Sequence, residues 1–241
     1  MILVHGFGED GEIWNNQLES LKNKYQLIIP DLPGSGESEM IVDMSIEGMA
    51  EVIHEIIQEE NIESCPVIGH SMGGYISLAL ADKYWNQVSA LGLFHSSSFS
   101  DSEEKKSARR KGIEFIETNG GYEFLKTVIP NLFSGETKDK NPGLADEWVD
   151  RGRNFSGPSL VSYYQAMIDR PDRTGVLTKS TVPLLFIMGK EDKAVPPEDS
   201  LKQCHLPEKS YIHMLYRSAH MGMLEEPEKT NFVLDEFLSD V

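Results

Sequence analysis

Residues 66–75 read PVIGHSMGGY, and this stretch decides the fold that we predict for the chain. A short apolar run ends at Gly69, and a Leu- and Ala-rich run typical of a helix begins at Tyr75. A strand that turns so sharply into a helix strains the backbone of the residue at its apex, Ser71, and exposes the side chain. Gly69 and Gly73 are needed because a Cβ there would collide with the crossing strand and helix. The Ser71 hydroxyl is therefore placed for nucleophilic attack beside free N–H groups.

Strands and helices alternate on both sides of this turn. The G-x-S-x-G pattern is short and would also fit an ordinary Gly-Ser loop, but this alternation and the additional Gly74 favour a nucleophile. The alternation also predicts an α/β fold with a mostly parallel, doubly wound sheet covered by helices on both faces. The predicted strands are 1–4, 25–29, 66–69, 88–94, 182–188 and 211–216, and the predicted helices around them are 13–21, 45–60, 75–84, 197–203 and 227–238.

The alternation stops between residues 96 and 179. We find no convincing strand pattern in this part of the chain, only helical segments. We interpret residues 96–179 as a helical insertion over one edge of the sheet, with residues 1–95 and 180–241 forming the core domain. The predicted helical segments of the insertion are 101–118, 122–133, 144–154 and 158–168.

Composition limits the classes of partner and the location. A chain of 241 residues with 39% hydrophobic and 25% charged residues is typical of one soluble globular domain with an insertion. The net charge of -17 argues against nucleic acid or an anionic membrane as a partner. No apolar run is long enough to cross a bilayer and no signal peptide is evident, so we expect a cytoplasmic protein. Cys65 and Cys204 have no metal-type spacing and are expected to be free thiols.

The first turn of the chain offers a competing hypothesis, a dinucleotide site. Residues 6–11 match G-x-G-x-x-G between a strand and a helix, and Asp31 closes the next strand about twenty residues later. Glu9, Asp10 and Glu12, however, crowd the place where a pyrophosphate would lie, and carboxylates repel phosphate. The match also leaves Ser71 unexplained. A dinucleotide-binding protein is therefore the least favoured alternative.

A serine nucleophile needs a base, and seven histidines compete for that role. We predict His220 because it alone lies in the loop between the final strand and the final helix, where the chain order Ser, acid, His places the base. The alternative is a plain surface histidine. The other candidates lie in a helix (His54), in a strand (His213), near a helix end (His205) or beside tight turns and after a strand (His5, His70, His95).

The base in turn needs an orienting carboxylate, and we predict Asp192. It follows the strand ending at Met188, whereas Glu191 is expected to face solvent and Asp199 lies in a helical stretch. The loop after the preceding strand contains His95 and three serines but no carboxylate. His95 itself could line the pocket or cap the strand end, and the sequence leaves both open.

The negative charge that forms on a substrate carbonyl oxygen needs hydrogen-bond donors. The backbone N–H of Met72 points toward that oxygen from the Ser71 turn. The N–H of Phe7, after His5 and Gly6, is the natural second donor. These two groups are the predicted oxyanion hole.

Together these motifs resemble the α/β-hydrolase superfamily over essentially the whole chain. The resemblance rests on residues 5–8 (HGFG), 31–38 (DLPGSGES), 69–74 (GHSMGG), 189–192 (GKED) and His220. It implies a fold in which the insertion is a helical cap over the active site. It also implies Ser71 as nucleophile, His220 as base and Asp192 as orienting acid.

The start of the chain departs from this family pattern. Relatives usually have two further strands before the His-Gly turn, whereas this chain begins on that strand, so the first two antiparallel strands are expected to be absent. Residues 25–29 would then be an exposed sheet edge, which favours association through the edge. We therefore expect a monomer or a weak homodimer.

The favoured function is a serine hydrolase that cleaves carboxylic esters of small to medium size through an acyl-enzyme. No metal or organic cofactor is indicated, because no metal-ligand motif or phosphate loop with a lysine is present. We predict that the substrate pocket includes six residues, each of which could equally belong to the core: Phe133, Phe155, Tyr163, Tyr164, Val195 and Met221.

Two alternatives stay open on the same constellation. The resemblance extends to relatives that hydrolyse carbon–carbon bonds and to a lyase of menaquinone biosynthesis, and a non-catalytic ligand receptor of this fold is a different class. An anionic substrate is also open because the insertion carries six arginines, although most are expected to be solvated charges: Arg109, Arg110, Arg151, Arg153, Arg170 and Arg173.

Overall fold

A computed structural model describes the whole chain, Met1–Val241. Its centre is a sheet of five parallel strands whose order in space follows their order in sequence. All four pairs of neighbouring strands are parallel, as the alternating pattern predicts. The strands are β1 (Ile2–Val4), β2 (Cys65–His70), β3 (Val88–Phe94), β4 (Leu184–Gly189) and β5 (Ser210–Leu215).

Helices cover both faces of the sheet and fill the connection between β3 and β4. Consecutive residues of a strand serve opposite faces, so Val67 and Ile68 of β2 belong to two separate hydrophobic cores. The helices are α1 (Asn15–Leu21), α2 (Ile46–Glu59), α3 (Met72–Lys83), α4 (Glu103–Asn119), α5 (Gly121–Val128), α6 (Gly135–Lys140), α7 (Pro142–Arg151), α8 (Gly157–Asp169), α9 (Thr174–Lys179), α10 (Pro197–Leu201), α11 (Gly222–Glu225) and α12 (Pro227–Ser239).

The two cores separate the helices by face. One core takes the apolar stripe of α2 together with α3, and the other takes α1 and α12. Helix α2 begins as predicted because the Ser45 hydroxyl accepts a hydrogen bond from the N–H of Gly48 at 3.0 Å. The carboxyl ends of the strands are left open between these layers, and that is where the predicted site residues lie.

The predicted strand at residues 25–29 is wrong except for one bridge. Ile28 pairs with Ile2 on the outer side of β1, through bonds from Ile28 N to Met1 O and from Leu3 N to Ile28 O, both 3.0 Å. The ladder does not extend because β1 itself is short and Pro30, just beyond, has no N–H to donate.

The segment between β3 and β4 contains six helices, α4–α9, and no strand, in keeping with the helical pattern of the sequence. Its helices extend both cores, since Phe124 and Leu160 join one and Tyr163 and Met167 the other. The sequence pattern did not predict α6 and α9, because helices of six residues are too short to show a hydrophobic period. None of the twelve helices combines the length and apolar composition that a bilayer-spanning helix requires.

Candidate active site

The turn between β2 and α3 holds Ser71 in an uncommon backbone conformation. Its φ of 50° and ψ of -115° are strained for a residue with a side chain. Neighbouring backbone makes this turn possible only with glycines: a Cβ on Gly69 would lie 2.2 Å from the carbonyl oxygen of Gly73, and one on Gly73 would lie 2.3 Å from that of Val4. The Ser71 hydroxyl does not cap α3, so its Oγ is left free at the apex.

The loops after β4 and β5 bring Asp192 and His220 into direct contact. His220 Nδ1 lies 2.7 Å from Asp192 Oδ2, and both side chains are buried. The other carboxylate oxygen accepts the N–H groups of Ala194 and Val195, each at 2.9 Å, which fixes the plane of the carboxylate. His220 and Ser71 line the same small cavity of about 110 Å³.

Burial and charge shift the pKa values of Asp192 and His220 in opposite directions. Burial alone would raise the pKa of Asp192, but the charge and hydrogen bond of His220, with a further bond from His95, hold it well below its usual range. Burial alone would lower the pKa of His220, but the adjacent Asp192 charge outweighs that effect and raises it above its ordinary 6.5. The arrangement therefore stabilises a proton once His220 has accepted it.

A second histidine binds the same carboxylate oxygen. His95 follows β3 with a left-handed φ of 48°, and its Nδ1 lies 3.1 Å from Asp192 Oδ2. Burial lowers the pKa of His95 to about 4, so the ring is neutral and carries one N–H. The Gly189 N–H also lies 3.1 Å from Nδ1, but the carboxylate is the stronger partner, so we assign Nδ1–H to Asp192. Nε2 then accepts from Gly222 N at 3.2 Å.

His95 is a residue whose partner the sequence could not identify. It lies 97 residues before Asp192 in the chain. The two roles considered from the sequence, lining the pocket and capping the strand, did not include a bond to Asp192. The available signal was a histidine directly after a buried strand. Sequence position alone cannot show that it shares a carboxylate with His220.

His95, Asp192 and His220 are also the three residues whose side chains could ligate a metal. Their candidate ligand atoms all lie within 4.8 Å of one another. Both imidazoles, however, direct Nδ1 at Asp192 Oδ2 at hydrogen-bond distance, so the donor set is already paired internally. Hydrogen bonding accounts for the cluster.

A buried carboxylate and histidine connect the first turn to the site. Glu9 Oε2 accepts from Gly6 N at 2.7 Å and lies 2.8 Å from His70 Nδ1, while His70 Nε2 lies 3.0 Å from the carbonyl oxygen of His220. Burial alone would raise the pKa of Glu9, but the charge and bond of His70 lower it, so the carboxylate is ionised. These contacts of His70 join the turn after β1 to the His220 loop.

These carboxylates also bear on the dinucleotide alternative. Glu9 occupies the N–H of Gly6, and Asp31 Oδ1 accepts the N–H of Gly11 at 2.8 Å. A pyrophosphate at this turn would need those donors. The glycine pattern is therefore used for internal hydrogen bonds, which disfavours nucleotide binding here.

The two predicted oxyanion donors lie on the turns beside Ser71. Phe7 lines the cavity, and its N–H donates to no other backbone group. Met72 is the first residue of α3, so its N–H has no acceptor one turn earlier in the helix. Both N–H groups are thus free to donate to a bound molecule.

Two of the six predicted pocket residues line the cavity, Tyr164 and Val195. Tyr164 stacks on the ring of Phe7, with centroids 4.4 Å apart and planes 10° from parallel. The sequence did not predict most of the remaining lining, which combines apolar side chains with one cation and one carboxylate. The full lining is Phe7, Glu9, Ser71, Tyr75, Arg109, Val128, Leu132, Tyr164, Met167, Ala194, Val195 and His220.

The other four predicted pocket residues are wrong as lining residues because they belong to the core. Phe133, Phe155 and Met221 are buried in one hydrophobic core. Tyr163 is fully buried in the other, where its hydroxyl lies 2.8 Å from Ser35 Oγ and donates to the carbonyl of Pro33 at 2.6 Å. An aromatic residue in an amphipathic helix fits either place, so the sequence pattern could not separate them.

Comparison with known proteins agrees with this fold. A family model described as the alpha/beta hydrolase fold matches residues 1–115. The solved structure of a thermophilic esterase from Thermogutta terrifontis, with malate bound, superposes with a TM-score of 0.94 and 28% identity, over 99% of this chain and 89% of that chain.

Two curated relatives match over most of their own length as well. Lipase 1 of Psychrobacter immobilis is 28% identical over 95% of this chain and 74% of its own. 3-Oxoadipate enol-lactonase 1 of Acinetobacter baylyi is 22% identical over 100% of this chain and 89% of its own. These likenesses support a hydrolase activity. With the five-stranded parallel sheet and the strained serine turn, they show that the chain has the alpha/beta hydrolase fold.

Proposed function

We propose that the protein is a serine hydrolase that cleaves carboxylic esters of small to medium size through an acyl-enzyme. One observation carries the proposal: His220 is bonded to Asp192 through Nδ1, and His220 lines the same cavity as Ser71, whose Oγ makes no hydrogen bond within the protein. This is the set of groups that nucleophilic acyl transfer requires.

In the first half-reaction, Ser71 Oγ forms a bond to the carbonyl carbon of the ester and gives its proton to His220 Nε2. Asp192 holds the ring in position and stabilises its positive charge. The carbonyl oxygen becomes negative and faces the N–H groups of Phe7 and Met72. The carbon–oxygen bond to the alcohol then breaks, and His220 returns the proton to the leaving oxygen.

In the second half-reaction, water takes the place of the alcohol. It attacks the acyl carbon and gives one proton to His220 Nε2, and the bond to Ser71 Oγ breaks as that proton is returned to the serine. The products are a carboxylic acid and the free enzyme. Asp192 keeps its charge throughout, in keeping with the direction of its pKa shift.

The test is Ser71→Ala, assayed on a panel of p-nitrophenyl esters of increasing acyl length. We expect a loss of about 10⁴-fold or more in kcat, because the nucleophile is removed while the fold is kept. Unchanged turnover in the variant would end the proposal. The control is Ser239→Ala, in a side chain at the end of α12 that bonds locally to Glu236 O.

A fluorophosphonate probe separates the remaining alternatives. Labelling of the wild type but not of Ser71→Ala, together with ester turnover, supports a hydrolase of this kind. Labelling without turnover of any ester would favour the ligand receptor. Turnover confined to carbon–carbon substrates would favour the alternative hydrolase on the same residues.

A further inference from the structure

The cavity that contains Ser71 also contains one cationic side chain, Arg109 of α4. Its Nε donates to Asp101 Oδ2, and its guanidinium lies 5.3 Å from the centre of the Tyr164 ring. Tyr164 in turn stacks on Phe7, which carries one of the proposed oxyanion donors. Tyr164 therefore neighbours both the guanidinium and the residue that carries a proposed oxyanion donor.

The outer edge of this guanidinium has no partner in the protein. Asp101 takes the Nε position, and no hydrogen bond or salt bridge uses Nη1 or Nη2. The side chain is 20% exposed and lines the cavity, so these donors are available to a bound molecule. Two N–H groups side by side match the two oxygens of a carboxylate.

The carboxylate and guanidinium groups bonded around Arg109 carry a positive excess, while Glu9, the one carboxylate that lines the cavity, is bonded to Gly6 and His70. Asp101 is shared, because its Oδ1 also binds Arg170 Nη2 at 3.0 Å, and both of those side chains are buried. Arg170 is further bonded to the carbonyls of Met167 and Phe99. One carboxylate between two guanidinium groups leaves a net charge of one, and Arg109 is the partner with unused donors.

The groove beside the cavity is also positively charged. It shares Arg109, Val128, Tyr164 and Ala194 with the cavity and adds three lysines, while no Asp or Glu lines it. This is unusual on a chain with 39 acidic and 22 basic residues. The three lysines are Lys105, which lies 3.8 Å from Asp199, together with Lys111 and Lys193.

We propose that the substrate of this site is an ester that bears a carboxylate, which enters along the basic groove and is held by the Nη edge of Arg109. The inference rests on the proposed function, because it assumes that Ser71 cleaves the ester in the same cavity. A basic groove attracts anionic substrates over the screened negative charge of the remaining surface. The carboxylate end is thereby oriented away from the oxyanion donors.

The experiment compares matched pairs of esters by pH-stat titration. Monomethyl succinate, glutarate and adipate are each paired with the neutral methyl ester in which an isopropyl group replaces the carboxylate. A second pair, 4-acetoxybenzoate and 4-isopropylphenyl acetate, places the anion on the alcohol side. The quantity measured is the ratio of kcat/KM for the anionic ester to that for its neutral partner.

We expect Arg109→Met to lower this ratio about 10- to 100-fold in at least one pair, as loss of hydrogen bonds to a charged group does. Arg110→Gln removes the same charge from the exposed side of α4 and should leave the ratio as in the wild type. Should Arg109→Met fold poorly, the double variant Lys111→Gln/Lys193→Gln tests the groove instead. It should lower kcat/KM for the anionic ester and flatten its dependence on salt, whereas Lys138→Gln, on α6, should not.

The outcomes distinguish this inference from the proposed function. Turnover of neutral and anionic esters with a ratio that neither Arg109→Met nor the lysine double variant changes would overturn the inference and leave the hydrolase proposal standing. Absence of turnover for every ester would overturn both. A preference for the anionic ester that is lost in Arg109→Met and kept in Arg110→Gln supports it.

Discussion

The carboxyl edge of the sheet and the helical insertion build one cavity in different ways. The sheet edge contributes groups that are buried and have hydrogen-bond partners within the protein, such as Glu9, Asp192 and His220. The insertion contributes apolar side chains and one cation with unused donors, Arg109. Groups with fixed partners suit the chemical steps, and groups that lack partners suit recognition of a substrate. Changes at the sheet edge should therefore alter kcat, and changes in the insertion should alter selectivity or stability.

The largest effect is expected at the sheet edge, from Asp192→Asn. We expect kcat to fall about 10⁴-fold, because an amide does not hold His220 in the required tautomer or stabilise its charge. The Asn oxygen can still accept from Ala194 and Val195, so the fold should persist by circular dichroism. The matched control is Glu191→Gln, an exposed neighbour that accepts only the Gly135 N–H. If both variants lost activity equally, the assignment of Asp192 would fail.

Within the insertion, Phe155 belongs to a hydrophobic core and Tyr164 lines the cavity. The variants Phe155→Ala and Tyr164→Ala test this difference. Phe155→Ala should cost about 3–5 kcal/mol of unfolding free energy through the cavity that it leaves, with kcat/KM of the folded enzyme unchanged. Tyr164→Ala should change kcat/KM for esters, because this ring lines the cavity and stacks on Phe7. Urea unfolding and ester kinetics on both variants measure the two effects. If Phe155 lined the pocket, Phe155→Ala would instead change kcat/KM and have little effect on the free energy of unfolding.

The smallest effect concerns the second histidine on Asp192. The wild-type kcat/KM should fall as pH drops through a midpoint above 6.5, because the pKa of His220 is raised and only the neutral ring accepts a proton. His95→Ala removes a donor from Asp192 and leaves its negative charge less compensated. The pKa of His220 should therefore rise further, and the midpoint should move upward by about 0.5–1 pH unit.

His95→Asn is the control for that shift. Asn adopts a left-handed φ more readily than most residues and offers an N–H to Asp192, so its midpoint should stay near that of the wild type. Equal midpoints in His95→Ala and the wild type would mean that His95 has a packing role alone.

Local patterns in the sequence predicted the parts of the fold that local physics controls. The strand, strained serine and helix around Ser71 follow from glycines that tolerate close backbone contact, and β3 matches its predicted bounds because its apolar run is bounded by polar residues. Residues 25–29 have a similar composition but form only a bridge at Ile28, since pairing there depends on a short partner strand and on Pro30.

The sequence by itself determined the parallel α/β fold, the Ser71 turn, and the loops that carry Asp192 and His220, because strand–helix alternation fixes which loops meet at the carboxyl edge of a sheet. Only the tertiary structure decided that His95 binds Asp192, that Tyr164 faces the cavity while Tyr163 is buried, and that Arg109 has free donors there. The physical reason is that these facts depend on contacts between side chains far apart in sequence. Hydrophobic periodicity and charge do not encode which of two similar side chains meets a partner.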